Sequence, residues 1–362
     1  MDPVQQGHAA GLASLPGRVY ERTMATIALG PIRRLLLLGG GDLLLRLAEQ
    51  SRTRGLAVDV LTSPRHAEET VSSGRRMADA LADLGIEPRV IAQLDKPETA
   101  SLIGDISDTF SLSIGAAWIF RKDTIEGWFG NQLFNLHGAR LPQNRGGGGY
   151  SWQILMGNRF GFCQVHQVDG GLDSGPILVG EEFIFPHNCR VPADYAAYAV
   201  EMNLRFLGEL LDTLRRGVCT FALQPQQEYL STYWPRLHTP SQAWIDWRWT
   251  ATFLERFVCA FDDPYSGAQT TWQGRTVRLK RAFASFEDGV FHPFQSGLVY
   301  RSNGRWLCIA CEGGSLVVED VRDEAGEDLR SRVRPGDTLA TPPEKLLART
   351  QRVRFDALGL KP

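Results

Sequence analysis

The sequence predicts an α/β protein: a Rossmann-like, mostly parallel sheet domain followed by a small, OB-like β-barrel. Three observations carry this reading. From Ile32 onward, short apolar runs alternate with amphipathic stretches, the pattern of a parallel sheet with crossover helices. After Gly217 the chain turns polar, aromatic and proline-punctuated. Beyond Trp249, short β-like runs follow one another with glycine turns between them, as in a compact barrel of about a hundred residues.

The elements follow in order. "IRRLLLLGGGDLLLRLAEQSRTRG" is an apolar strand, a triple glycine and a helix; "LAVDVLTS" is a second strand; "HAEETVSSGRRMADALADLG" reads as a helix and "RVIAQL" as a third strand. "FSLSIGAAWIF" is a buried strand with its exit loop, "DTIEGWFG" a short helix, and "NQLFNLHGARLP" a strand ending at a loop. "GGGYSWQILMGN" is a helix entered from glycines, and "FGFCQVHQVD" and "ILVGEEFIF" alternate as half-buried strands do. "ADYAAYAVEMNLRFLGELLDTLRRG" is the longest helix. The expected organisation is a poorly ordered leader at 1–31, a sheet domain at 32–224, a linker at 225–249, the barrel at 250–345 and a tail at 346–362.

Composition narrows the function classes. The chain has 362 residues, 43% hydrophobic and 22% charged, enough for two domains with sizeable cores. A formal net charge of -2 argues against a general nucleic-acid binder. No apolar run reaches the ~20 residues of a membrane span. The N-terminal stretch lacks the charged-then-apolar pattern of a signal peptide, so a cytoplasmic protein is expected. Cys308 and Cys311 form a CxxC inside a strand-like run, where positions i and i+3 point to opposite faces. With no second pair beside it, no metal site is expected.

Gly39, Gly40 and Gly41 follow the first strand, but Leu44 stands where GxGxxG needs its last glycine. This reads as a tight turn rather than a dinucleotide fingerprint. Chemistry concentrates between Phe134 and Ile177. Asn135 and His137, two apart on a strand, point the same way and lie at its carboxyl end, where open parallel sheets bind ligands. An Asn amide suits a developing oxyanion, a His suits proton transfer, and Asp173 in "DGGLDSGPI" is the carboxylate to orient and charge the ring. Asp169 is read as a turn residue before its two glycines. Donor, base and carboxylate together suit acyl transfer to an amine.

The pattern "NLHGARLP…RGGGGYSWQI…G…G.C..H….GLDSGPI" resembles the core of the 10-formyltetrahydrofolate-dependent formyltransferases. These include methionyl-tRNA formyltransferase, glycinamide ribonucleotide formyltransferase and the sugar N-formyltransferases. The resemblance implies catalytic roles for Asn135, His137 and Asp173. It also implies 10-formyltetrahydrofolate as formyl donor, its pterin in a slot lined by Ala117, Trp118, Ile119 and Phe120, with Val168, Gly170 and Leu172 on the Asp-bearing loop offering groups to the ring edge. "IDWRWTATFLERFVCAFDDPYSGAQTTWQGRTVRLKRA" is similar to the start of the family's C-terminal open barrel, except that Cys259 replaces an arginine.

The acceptor is expected to be a small molecule bearing a primary or hydroxylated amine, such as an amino sugar nucleotide or a biosynthetic amine. Arg145, Gly146, Gly147, Gly148 and Gly149 are its expected contacts. A tRNA acceptor is disfavoured, because the turn has one arginine and departs from the "RGAAPIQ" type of the tRNA enzymes. A 10-formyltetrahydrofolate hydrolase and a homodimer stay open; a non-catalytic folate-binding module is the weakest alternative.

Overall fold

The computed structural model describes residues 24–356 and 358–360. The expected poorly ordered leader lies outside the described residues as far as residue 23. Its last part does not read as expected: Thr26–Leu29 is a strand, β1.

The chain continues through β2 (Arg34–Gly39), α1 (Asp42–Thr53), β3 (Ala57–Thr62), α2 (Pro64–Ala67), α3 (Met77–Asp83), β4 (Arg89–Val90), α4 (Pro97–Ile103), β5 (Thr109–Ile114) and α5 (Lys122–Phe129). Then come β6 (Leu133–His137), α6 (Gly149–Met156), β7 (Phe160–Gln167), β8 (Ile177–Ile184), α7 (Pro192–Arg216) and β9 (Cys219–Ala222). Seven strands form one sheet in the order β4-β3-β2-β5-β6-β7-β8. β4, β3, β2, β5 and β6 run parallel, β7 runs antiparallel to β6, and β8 runs antiparallel to β7. β1 pairs antiparallel with β9, Ile27 opposite Phe221, so the end of the presumed leader is held by the segment that leaves α7.

The leucines of β2 explain the layering. Leu35 and Leu37 share a core with Leu44 and Leu47 of α1 and Leu207 and Leu211 of α7. Leu36 and Leu38 face the other way, against Ile103, Ile125 and Phe129. A strand covered on both faces reads as a continuous apolar run, and each buried leucine contributes about 2 kcal/mol. In α1 the buried positions are Leu44, Leu47, Ala48 and Ser51, one helical face.

Two expectations are corrected here. "HAEETVSSGRRMADALADLG" is not one helix: α2 stops at Ala67, Thr70 bridges Arg76, and α3 starts at Met77. Ser72-Ser73-Gly74 favours a turn over helix, and the Gly74 N–H donates to the Val71 carbonyl. "RVIAQL" shrinks to the two residues of β4, the edge of the sheet.

After β9 an irregular strap leads to α8 (Thr239–Gln242) and α9 (Ala251–Ala260). β10 (Ala268–Trp272), β11 (Arg275–Ser285), β12 (Val299–Ser302), β13 (Leu307–Cys311), β14 (Gly314–Asp323) and β15 (Leu339–Ala340) follow, and α10 (Pro343–Ala348) lies beyond them. The strands form an antiparallel sheet in the order β12-β13-β14-β11-β10-β15. Its two edges meet where Leu298 bridges Thr338 and the Leu339 N–H donates to the Gly297 carbonyl, so the sheet curls into a half-barrel. The end of the expected linker belongs with it. Trp244, Ile245 and Trp247 are buried; the Ile245 N–H donates to the Gln269 carbonyl of β10, and the Gln269 N–H donates to the Ala243 carbonyl. Ser151 Oγ of α6 donates to the Ala260 carbonyl of α9 at 2.7 Å, joining sheet and barrel. Among the described residues no helix is long and apolar enough to cross a membrane.

Candidate active site

Sheet register assembles the site. Ser113 of β5 pairs with Asn135 of β6, and Asn135 pairs with His166 of β7. This row crosses the sheet at its carboxyl rim. Asn135 Nδ2 lies 3.1 Å from His166 Nε2, and His166 Nδ1 lies 2.9 Å from the Gln167 carbonyl. A carbonyl only accepts, so His166 carries its proton on Nδ1 and accepts from Asn135 through Nε2. Asn135 keeps its second amide N–H for another partner.

His137, one pleat further along β6, donates from Nε2 to the Asn144 carbonyl at 2.6 Å. That leaves Nδ1 as its proton-accepting atom when neutral. Asp173 Oδ2 stands 3.8 Å from this Nδ1, and Asp173 Oδ1 stands 3.6 Å from His166 Nε2. Asp173 therefore acts on His137 as a charge, while the Asn144 carbonyl orients the ring. Asp173 has a left-handed backbone, φ +50°, a conformation Asp tolerates better than most residues. Its carboxylate accepts from the Gly146 N–H at 2.8 Å. Asp169 accepts from the Gly171 N–H and Ser174 Oγ, the turn role expected of it.

Burial lowers the His137 pKa from its ordinary value, against the opposing pull of Asp173 and the Asn144 carbonyl. Burial works to raise the Asp173 pKa, but the neighbouring His166 and His137 rings and the hydrogen bond from the Gly146 N–H outweigh it, and the carboxyl stays well below the usual range. A neutral imidazole beside a carboxylate results, poised to take a proton that the carboxylate then stabilises.

These groups line one cavity of about 360 Å³. Its remaining wall includes Trp118, Ile119, Phe120, Val168, Gly170 and Leu172, with Gly146 and Gly147 at one side. Trp118 and Phe120 also pack against the apolar layer of Leu38 and Leu133, so they are core and cavity wall together. Ile119 is 87% exposed at the loop tip. Ala117 stands apart, lining a neighbouring cavity with Arg121 and Phe355.

The glycine turn departs from its expected use. Arg145 is 8% exposed and points away from the cavity: its guanidinium holds Gln226 Oε1 and Glu228 Oε2. Gly148 and Gly149 do not line the cavity either. A Cβ on Gly148 would sit 2.3 Å from the Trp152 ring, and one on Gly146 would sit 2.6 Å from the Trp234 carbonyl. Small residues here let the turn lie flat against the strap. Gln226 Nε2 in turn donates to the carbonyls of Asp173 and Gly175. Sequence reasoning gave no role to Ser113, Asn144, His166 or Gln226. Each owes its place to register or to a distant loop; only His166, alternating within its own strand, left a signal.

Residues 238–333 match the formyl transferase C-terminal domain, so the segment expected to be an OB-like barrel has a family of its own. The chain is 29% identical to the methionyl-tRNA formyltransferase of Dechloromonas aromatica (strain RCB) over 196 residues, 54% of this chain and 59% of that protein. It spans about three fifths of the length of the first curated relatives it matches. Its fold is similar to that of WlaRD, a sugar 3N-formyl transferase solved in the presence of dTDP and 5-N-formyl-THF: TM-score 0.60, 14% identity, covering 80% of this chain and 98% of that one. It is also similar to the N-formyltransferase from Helicobacter canadensis in complex with folinic acid and dTDP-3-aminofucose, with TM-score 0.58, 16% identity and the same coverage. A matching C-terminal domain, these relatives and an Asn-x-His strand facing an Asp-bearing loop make the chain similar to the formyltransferases.

Proposed function

We propose that this chain transfers a formyl group from 10-formyltetrahydrofolate to a primary or hydroxylated amine of a small molecule. The observation that carries the reading is the convergence of Asn135, His137 and Asp173 on one cavity. The cavity suits the donor. Its volume, about 360 Å³, falls in the range of ligand sites. Its wall is aromatic and apolar at Trp118 and Phe120, and Trp118 Nε1 is a buried donor with no partner among the described residues. The loop from Val168 to Leu172 offers main-chain groups to a polar ring edge.

The donor supplies the formyl carbon; the chain supplies the rest. Asn135 donates its spare N–H to the formyl oxygen as that oxygen turns negative. His137 Nδ1 would take the proton from the amine as its nitrogen bonds the formyl carbon, and would return it to the donor nitrogen as the old carbon–nitrogen bond breaks and tetrahydrofolate leaves. Asp173, ionised and 3.8 Å away, stabilises the imidazolium. The near-neutral charge and the internal pairing of Arg145 with Gln226 and Glu228 favour a small acceptor over an acidic macromolecule. The sugar-nucleotide formyltransferases of similar fold point the same way. Six unpaired cysteines fit a reducing, cytoplasmic setting.

The curated relatives favour a second reading, methionyl-tRNA as acceptor. One experiment separates the readings. The protein is incubated with 10-formyltetrahydrofolate and a panel of amino sugar nucleotides, hydroxylated amines and methionyl-tRNA, and mass spectrometry follows which acceptor gains one formyl unit. Formylation of methionyl-tRNA alone would reject the small acceptor. Formate released at full rate without any amine would make the chain a hydrolase.

A further inference from the structure

We infer that the Ser113 hydroxyl is a second hydrogen-bond donor to the formyl oxygen, acting beside Asn135; this deepens the formyl-transfer reading and rests on it. Ser113 is 1% exposed, and its Oγ has no hydrogen-bond partner among the described residues. Its β2 side offers none: it lies beside Leu38 on the face packed by Leu36, Leu61 and Leu133. A hydroxyl in such a layer is disfavoured by folding unless something pairs with it. Yet Ser113 also lines the cavity, which offers it a partner on the ligand.

Register decides which part of the ligand that is. Ser113 pairs with Asn135, the amide at the reacting end. The aromatic wall begins beyond Gly115, at Trp118. Asn135 commits one N–H to His166 and has one left. An oxygen gaining charge is better held by two donors than by one, and the serine hydroxyl rotates to supply the second.

The strand carries its own control. Ser111, two residues earlier on the same face, is also 1% exposed and unpartnered among the described residues, but it does not line the cavity. The test titrates 10-formyltetrahydrofolate and tetrahydrofolate into the wild type, Ser113→Ala and Ser111→Ala by calorimetry, with thermal melting alongside. Both variants remove an unpaired hydroxyl, so both are expected to melt no lower than the wild type. Ser113→Ala is expected to lose roughly threefold to tenfold of its affinity for the formylated ligand, the worth of one hydrogen bond, and none for tetrahydrofolate. Ser111→Ala is expected to bind both as the wild type does. Equal weakening toward both ligands would mean the hydroxyl serves the ring, and no weakening would mean it serves nothing; either result overturns the inference. So does a Ser111→Ala variant that behaves like Ser113→Ala. A wild type that binds neither folate would overturn the formyl-transfer reading itself, and this inference with it.

Discussion

Asn135 Nδ2 and His166 Nε2 lie 3.1 Å apart across the β6–β7 pairing, and this contact sets which edge of the amide faces the cavity. Without an acceptor on β7, the amide is free to turn its oxygen toward the ligand. His166→Phe keeps a ring in place and removes the acceptor. Its kcat is expected to fall roughly tenfold, the worth of one hydrogen bond, with folate affinity retained. An unchanged kcat in steady-state assays would show that the amide is oriented by other means.

His137→Ala is expected to fold normally by circular dichroism and to lose roughly 10²–10⁴-fold in turnover. Burial lowers the His137 pKa from its ordinary 6.5, so the imidazole is neutral above the lowered value and protonated below it. The wild-type rate should hold through pH 6.5 and fall only as pH drops further. A pH–rate profile whose acid limb is centred above pH 6.5 would remove His137 as the proton acceptor.

Gly146 tests the close fit of turn and strap. Its φ is +98°, and a Cβ there would meet the Trp234 carbonyl at 2.6 Å and the Tyr233 ring at 2.7 Å. Gly146→Ala is expected to cost about 3 kcal/mol in urea unfolding, from backbone strain and overpacking together. Gly149→Ala, with φ +57° but nothing within 4 Å among the described residues, should cost about 1 kcal/mol. Equal losses would mean that contact with the strap is unimportant.

His66 predicts a pH effect away from the cavity. Burial, then the charges of Arg65 and Arg236, push its pKa down to about 4 from 6.5. The unfolded chain therefore takes up this proton first as pH falls. The stability tied to a neutral His66 is complete above about pH 6.5 and is lost as pH falls toward about 4. His66→Gln removes this dependence. Urea unfolding at pH 7 and pH 5 should show a smaller drop for the variant than for the wild type, and identical drops would contradict the assignment.

Much of the fold was legible because its signals are local. The leucine run of β2 and the two-residue spacing of Asn135 and His137 carry their own period. Asp173 was legible from its glycine-rich loop. His166 and Ser113 were not read as partners of Asn135, because their proximity depends on how three strands align, and one strand's sequence does not state its neighbour's register. Arg145 misled for a related reason. An arginine among glycines looks like a ligand contact until Gln226 and Glu228, some eighty residues later, are seen to claim its guanidinium. The break between α2 and α3 was visible in Ser72-Ser73-Gly74, but the surrounding helix-forming residues masked it.

The strap that follows β9 has one more consequence. Gln226 holds the Asp173 and Gly175 carbonyls, Arg145 holds Gln226 and Glu228, and neighbouring Tyr229 is 82% exposed. A protease that nicks the backbone at Tyr229 would leave both cores whole while releasing the glycine turn and the carboxylate loop together. In limited digestion, this protein would fall silent well before it falls apart.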